Sequence, residues 1–160
     1  MSLSKSALFP VFFLLFGGPA FGGVAHMNSE DLLAQADLVA AVETISVDQG
    51  IDTTRTQLRL VQVFKGSEAP GSLVTVESGG GKVFIDEDEP SFTTMRANLV
   101  FLQKNGVQYS CVNKADGQKP ILADSVYPYH DNIGYGVPLK DYMKALETAV
   151  KTGSPEKPKS

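Results

Sequence analysis

Between residues 54 and 64 the apolar side chains change phase. Leu58 and Leu60 fall on even positions, whereas Val61 and Val63 fall on odd ones. Strand side chains alternate faces, so a slip of one residue sends one of these sets into water unless the strand bulges or bends between two buried surfaces. The stretch closes a unit, residues 36–66, that reads as two strands (38–47 and 54–64) joined by a polar turn at 48–52 and ended by Lys65-Gly66. A bent strand shared between two faces is what a small, highly curved barrel needs. A flat open sandwich is the competing architecture.

The rest of the chain supplies further strands and two helices. Residues 28–36 read as a short helix, with Asn28 or Ser29 as cap, Glu30 and Asp31 at the positive end of its dipole, and Leu32 and Leu33 facing the barrel. Residues 73–77 are a β-branched strand, 79–81 a glycine link, and 82–85 a short strand or edge. Asn105-Gly106 predicts a hairpin between strands at 98–104 and 107–112, and the continuous Leu99-Val100-Phe101-Leu102 run predicts a strand buried on both faces. Residues 115–120 read as a loop, 121–123 as an edge strand and 127–138 as irregular. Leu139, Tyr142, Met143, Leu146 and Val150 share one face of an amphipathic helix that Gly153 stops. The expectation is a mainly β fold: a five- to six-stranded Greek-key, OB-like barrel with a short N-terminal helix and a C-terminal amphipathic helix.

Charge and targeting narrow the setting. Residues 26–153 carry eleven Lys/Arg against seventeen Asp/Glu, a formal −6, which is repelled by nucleic-acid phosphates and by anionic membrane surfaces. Lys5 followed by the apolar run 8–16 and then Gly17, Gly18 and Pro19 reads as a secretory signal peptide, too short for the roughly 20 apolar residues of a membrane span. Cleavage after Gly22 or after Ala25 fits, so residues 1–25 are set apart as the signal, 26–152 as the domain, and 153–160 as a polar, disordered tail. No membrane insertion is expected once the signal is removed. Cys111 is the single cysteine, so no internal disulfide can form and the exported domain must rest on its core. A periplasmic or secreted protein follows.

Ala36-Asp37-Leu38-Val39, the T-x-L-x-L-V-x-V-F-K-G run ending at Gly66, Pro70-Gly71-Ser72-Leu73-Val74-Thr75-Val76 and Leu99-Val100-Phe101-Leu102 come in that order. Over residues 36–112 the chain resembles small secreted bacterial domains similar to the netrin-like, or tissue inhibitor of metalloproteinases, OB-fold. The resemblance implies a non-catalytic module that binds another protein, a secreted protease among the candidates. It departs from the animal inhibitors in having neither their N-terminal cysteine, which chelates the protease zinc, nor their disulfides, so the inhibitory mechanism does not carry over.

Several residues are candidates for function. His26, as the first residue after cleavage at Ala25, joins a free amine to an imidazole, a ready chelate for copper or zinc. Asp86, Glu87, Asp88 and Glu89 form an acidic loop that could collect a hard cation, although the spacing of a calcium loop is absent. Tyr127, Tyr129 and Tyr135 offer contact area for a partner, or else pack against the barrel and the last helix. Cys111, His130 and Asp131 are the right types for a thiol nucleophile, a base and an orienting carboxylate, with nothing in the sequence to bring them together. Gly79-Gly80-Gly81-Lys82 lacks the phosphate-loop pattern and reads as a hinge. No motif implies a cofactor. The reading is an exported, non-enzymatic module for an extracytoplasmic protein partner, with a rim made of the N-terminal segment, the acidic loop and the tyrosine loop; a metal-binding protein built on His26 and a cysteine-dependent hydrolase are the alternatives.

Overall fold

A computed structural model describes residues 25–83, 86–128, 131 and 133–152. Residues 1–24 of the expected signal peptide, Phe84 and Ile85 of the expected 82–85 strand, Tyr129, His130 and the expected tail lie outside the described residues. The elements run α1 (Ser29–Gln35), β1 (Leu38–Gln49), β2 (Thr53–Lys65), β3 (Leu73–Gly79), β4 (Ala97–Asn105), β5 (Gln108–Cys111), a 3-10 turn (Lys114–Gly117), β6 (Gln118–Leu122), β7 (Ser125–Val126), β8 (Val137–Pro138) and α2 (Leu139–Thr152). Pairing goes β1-β2-β3-β5-β4 and returns from β4 to β1, so five strands close into a barrel consistent with an OB-like fold. β6, β7 and β8 extend the sheet away from β4.

The phase slip is resolved by bulges. Ala41 faces Gln62 and Val42 faces Leu60, which leaves Val61 as an extra residue; Val39 faces Lys65 and Ala40 faces Val63, which leaves Phe64 as another. Each bulge reverses the alternation. Leu58 and Leu60 therefore point into the barrel, Val61 turns to solvent, Val63 packs against the interior cluster and Phe64 against the outer one. A third bulge, at Ile45, bends β1.

Two apolar clusters share the walls β1 and β4. Leu38, Ala40, Val42, Leu58, Leu60, Val74, Val76, Val100, Leu102 and Tyr109 fill the barrel. Val39, Leu99 and Phe101 point the other way and meet Leu32 of α1 and Tyr142, Met143 and Leu146 of α2. The run 99–102 is buried on both faces for this reason. Asn28 caps α1, accepting a 2.9 Å hydrogen bond from the Asp31 amide, and Lys65 Nζ donates to the Leu33 carbonyl at 2.8 Å near the helix end. Arg55–Glu77 at 3.1 Å and Arg59–Glu43 at 3.5 Å are cross-strand ion pairs on the exposed face of β2.

Four local expectations shift. The hairpin turn is Gly106-Val107 rather than Asn105-Gly106, because Asn105 still pairs with Gln108 and only Gly106 takes a positive φ, 64°. Lys82 and Val83 form no strand; their amides donate to the Gly50 and Ile51 carbonyls at 2.9 and 3.2 Å. Residues 118–120, expected to loop, pair with β4 together with Ile121, so the expected edge strand begins three residues earlier. On α2 the buried fourth position is Ala149, and Val150 is exposed.

Candidate functional site

Two consecutive non-glycine residues, Asn113 (φ 49°) and Lys114 (φ 57°), adopt the left-handed conformation where β5 gives way to the 3-10 turn. Such a pair is strained and persists only where its surroundings hold it. Here they do. Lys114 Nζ lies 2.9 Å from Asp86 Oδ2 and 3.0 Å from Glu89 Oε1, and the Ala115 amide donates to the Asp88 carbonyl at 2.9 Å. One ammonium thus folds the acidic loop over the turn. Its hydrogen bond holds the Asp86 carboxyl below the usual carboxylate range, while Asp86 and then Glu89 push Lys114 up.

Two residues further on, Asp116 holds the N-terminal segment. Its carboxylate accepts from the Met27 amide at 2.8 Å and lies 3.2 Å from His26 Nδ1. Asn113 Nδ2 donates to the Ala25 carbonyl at 2.8 Å and to Asp116 Oδ2 at 2.7 Å. Burial raises the Asp116 carboxyl, but the Met27 amide, His26 and Asn113 outweigh it and the net shift is downward. The turn 113–116 therefore gathers His26 on one side and the acidic loop on the other. The sequence pointed to both of these groups but not to the residues that join them.

The acidic loop continues as a strap, residues 86–96, beside one end of the barrel. Phe92 packs against the interior cluster, and Gln118 fixes the strap through the Ser91 amide at 2.9 Å and the Ser91 carbonyl at 2.8 Å. At this end the inward-facing side chains turn polar: Thr44, Thr56, Ser78 and Asn98 are all buried. The glycine run serves close approach here, since a Cβ on Gly81 would stand 2.6 Å from the Gly50 carbonyl oxygen and 2.7 Å from that of Ile51.

The tyrosines lie on the sheet extension. Tyr127 and Tyr135 meet edge to face with centroids 4.9 Å apart, and Tyr135 is exposed. The Tyr127 amide donates to the Pro120 carbonyl and that of Gly136 to Val126, which anchors the pair beside β6–β8. Among the described residues no hydrogen bond or ring contact joins them to the acidic loop.

Cys111 and Asp131 are differently employed. Cys111 packs against the barrel-interior cluster; although the residue keeps some exposure, burial of the sulfur, with Glu89 adding to it, pushes the thiol well up. A thiol so held is a poor nucleophile. Asp131 sits among the helices on the outer face, where it accepts from Ser29 Oγ at 2.6 Å, from the Tyr142 hydroxyl and from the Ile133 amide at 2.9 Å. Lys119 Nζ stands 3.7 Å away and 5.8 Å from the Phe101 ring centroid. The side chains of Lys119 and Asp131 are 4% and 1% exposed, so this network is sealed from substrate. Burial lowers the Lys119 pKa against the pull of Asp131 and pushes that of Tyr142 well up.

Among the described residues no group of three His, Cys, Asp or Glu side chains could hold a metal ion, and no helix is long and apolar enough to cross a membrane. Comparison with family models gives no match, and comparison with curated protein sequences gives none.

Proposed function

We infer that the protein is an exported, non-enzymatic binding module that engages another protein outside the cytoplasm, and that its barrel belongs with the netrin-like OB domains it resembles. The observation that carries this reading is the double clamp at residues 113–116: Lys114 holds the acidic loop and Asp116 holds the segment at His26, so both are presented at one turn beside the closed barrel. Rigid presentation of loops on a scaffold is how binding surfaces are built, because it lowers the entropy lost on association. The raised thiol of Cys111 and the engagement of Asp131 elsewhere weigh against the hydrolase alternative. A secreted protease is the partner class that the resemblance implies.

Affinity capture from an extracytoplasmic fraction tests the reading. The native domain should retain a discrete protein partner, and an Asn113→Ala/Lys114→Ala variant, folded by circular dichroism, should lose it. Equal retention by both, or recovery only of a metal or small molecule, would count against the reading.

A further inference from the structure

β1 outruns its neighbour on one side. It pairs with β4 only over residues 38–43, after which the Thr44 amide donates to the Arg96 carbonyl and the Thr44 carbonyl accepts from Met95. Residues 46–49 pair with β2 residues 57–54, and among the described residues no backbone hydrogen bond reaches them from the opposite side. In an antiparallel pair every second residue turns its N–H and C=O away from its partner. Among the described residues the overhang therefore offers open ladder positions, the kind of edge onto which an extended chain adds as a further strand. Neither proline nor lysine blunts it; its residues are Ser46, Val47, Asp48 and Gln49.

A groove of about 460 Å³ runs along this edge, lined from β1 by Val47, Asp48 and Gln49, from the strap by Phe92, Thr93 and Thr94, and by Lys82. Large apolar side chains flank it. Ile51 is 73% exposed, Val83 79% and Met95 84%. Ile51 and Val83 are tied by a backbone hydrogen bond, and Met95 follows Thr94. Singly exposed apolar residues are ordinary, but three beside one open strand edge form a surface suited to association. The neighbouring exposed charges are Asp48, Asp52, Glu87 and Asp88 against Lys82 and Arg96, with Arg55, opposite Asp48 on β2, engaged by Glu77 and Lys114 by Asp86 and Glu89. The balance is acidic and selects a cationic partner.

We propose that the partner docks by laying an extended segment of alternating apolar and basic residues along the free edge of residues 46–49. This rests on the binding-module reading and supplies the chemistry of its partner. The backbone ladder provides affinity; apolar side chains cover Ile51, Val83 and Met95, and basic ones meet Asp48, Glu87 and Asp88.

Short peptides of one length test it: alternating Val/Lys, alternating Val/Glu, and the Val/Lys peptide N-methylated at every backbone amide. The last keeps side chains and charge but cannot donate to a ladder. The Val/Lys peptide should perturb the amide resonances of residues 46–49 in isotope-labelled protein. N-methylation should weaken it about tenfold, the effect of losing one or two ladder hydrogen bonds. The Glu87→Gln/Asp88→Asn variant should weaken it as well. Equal binding of the N-methylated or Val/Glu peptide, or perturbation confined to another face, would overturn the proposal. A captured partner that leaves the 46–49 amides unchanged also overturns it, yet leaves the binding-module reading standing. Absence of any captured partner, with the Val/Lys peptide still bound at this edge, strikes that reading and upholds the docking chemistry.

Discussion

Asp131 has what a buried carboxylate needs: two hydroxyl donors, one amide and a facing ammonium. Removing one member of a buried ion pair leaves the other uncompensated, which is far costlier than the net worth of the pair. Asp131→Ala should therefore destabilise the domain by about 3–5 kcal/mol in denaturant unfolding. Tyr142→Phe removes one hydroxyl and should cost about 1–2 kcal/mol. A loss below roughly 1 kcal/mol for Asp131→Ala would mean that the pair is solvated. Tyr109 makes a separate prediction at alkaline pH. Burial and its 2.8 Å hydrogen bond to Glu68 push its phenol from the ordinary 10.0 up to about 12. The folded state keeps this proton after the unfolded chain has lost it, so its contribution is complete below pH 10.0 and falls away as pH rises through about 12. Spectrophotometric titration of the tyrosines checks it, with Tyr109→Phe assigning the transition: the one that Tyr109→Phe removes should move down in a Glu68→Gln variant.

At the level of the element, β2 carries the fold because its bulges let one strand serve two cores. Val61 itself faces water, so Val61→Thr should change stability by less than about 0.5 kcal/mol. Deleting Val61 is another matter, since it restores strict alternation and moves Val63 and Phe64 to the wrong faces; loss of the cooperative thermal transition is the expected result. Leu60→Ala, in the filled interior, should cost about 2–5 kcal/mol. This element was legible from the phase of Leu58, Leu60, Val61 and Val63; the start of α1 was legible as a cap at Asn28 or Ser29, of which Asn28 is the one used, and the two-sided burial of residues 99–102 from their continuous apolar run. The hairpin was readable to within one residue, because Asn-Gly marks a tight turn without saying whether Asn105 closes the ladder or enters the loop. β6 was readable only at its end, as the edge strand expected at 121–123; its first half was not, because Lys119 looks like a surface residue and only its pairing with Leu99 and the distant Asp131 makes it a core lysine. The clamp was hidden for the same reason. Composition marks His26 and residues 86–89 as polar, whereas their meeting depends on Asn113, Lys114 and Asp116, which are ordinary loop residues in any linear reading.

For the whole molecule, the sharing of β1 and β4 between the interior and the helical layer has a thermodynamic consequence. Val100 and Phe101 are adjacent in sequence, yet Val100 fills the barrel and Phe101 packs beneath α1 and α2. Neither cluster can be dissolved without stripping one face from the same two strands. Small domains of this kind unfold in a single transition when their parts have no separate core. Near-ultraviolet dichroism reports Tyr142 of the outer cluster and Tyr109 of the barrel, and far-ultraviolet dichroism reports the sheet as a whole. Both should give one coincident midpoint in denaturant. Phe101→Ala and Val100→Ala should each lower that midpoint for both signals together, Phe101→Ala by the larger amount, about 3–5 kcal/mol. A helical layer that melted first in Phe101→Ala, leaving the barrel signal intact, would show two separable units. Unlike the rest of the strap, which Phe92, Gln118 and Thr44 hold to the barrel, the acidic loop at residues 86–89 and the N-terminal segment belong to a different stability class. Their attachments are the partly exposed contacts of Lys114 and Asp116, so Lys114→Ala should speed hydrogen exchange at the amides of Asp88, Glu89 and Ala115 while leaving the global midpoint nearly unchanged. The clamp thus fixes the rim separately from the core, so its loss removes the pre-organised surface without unfolding the barrel.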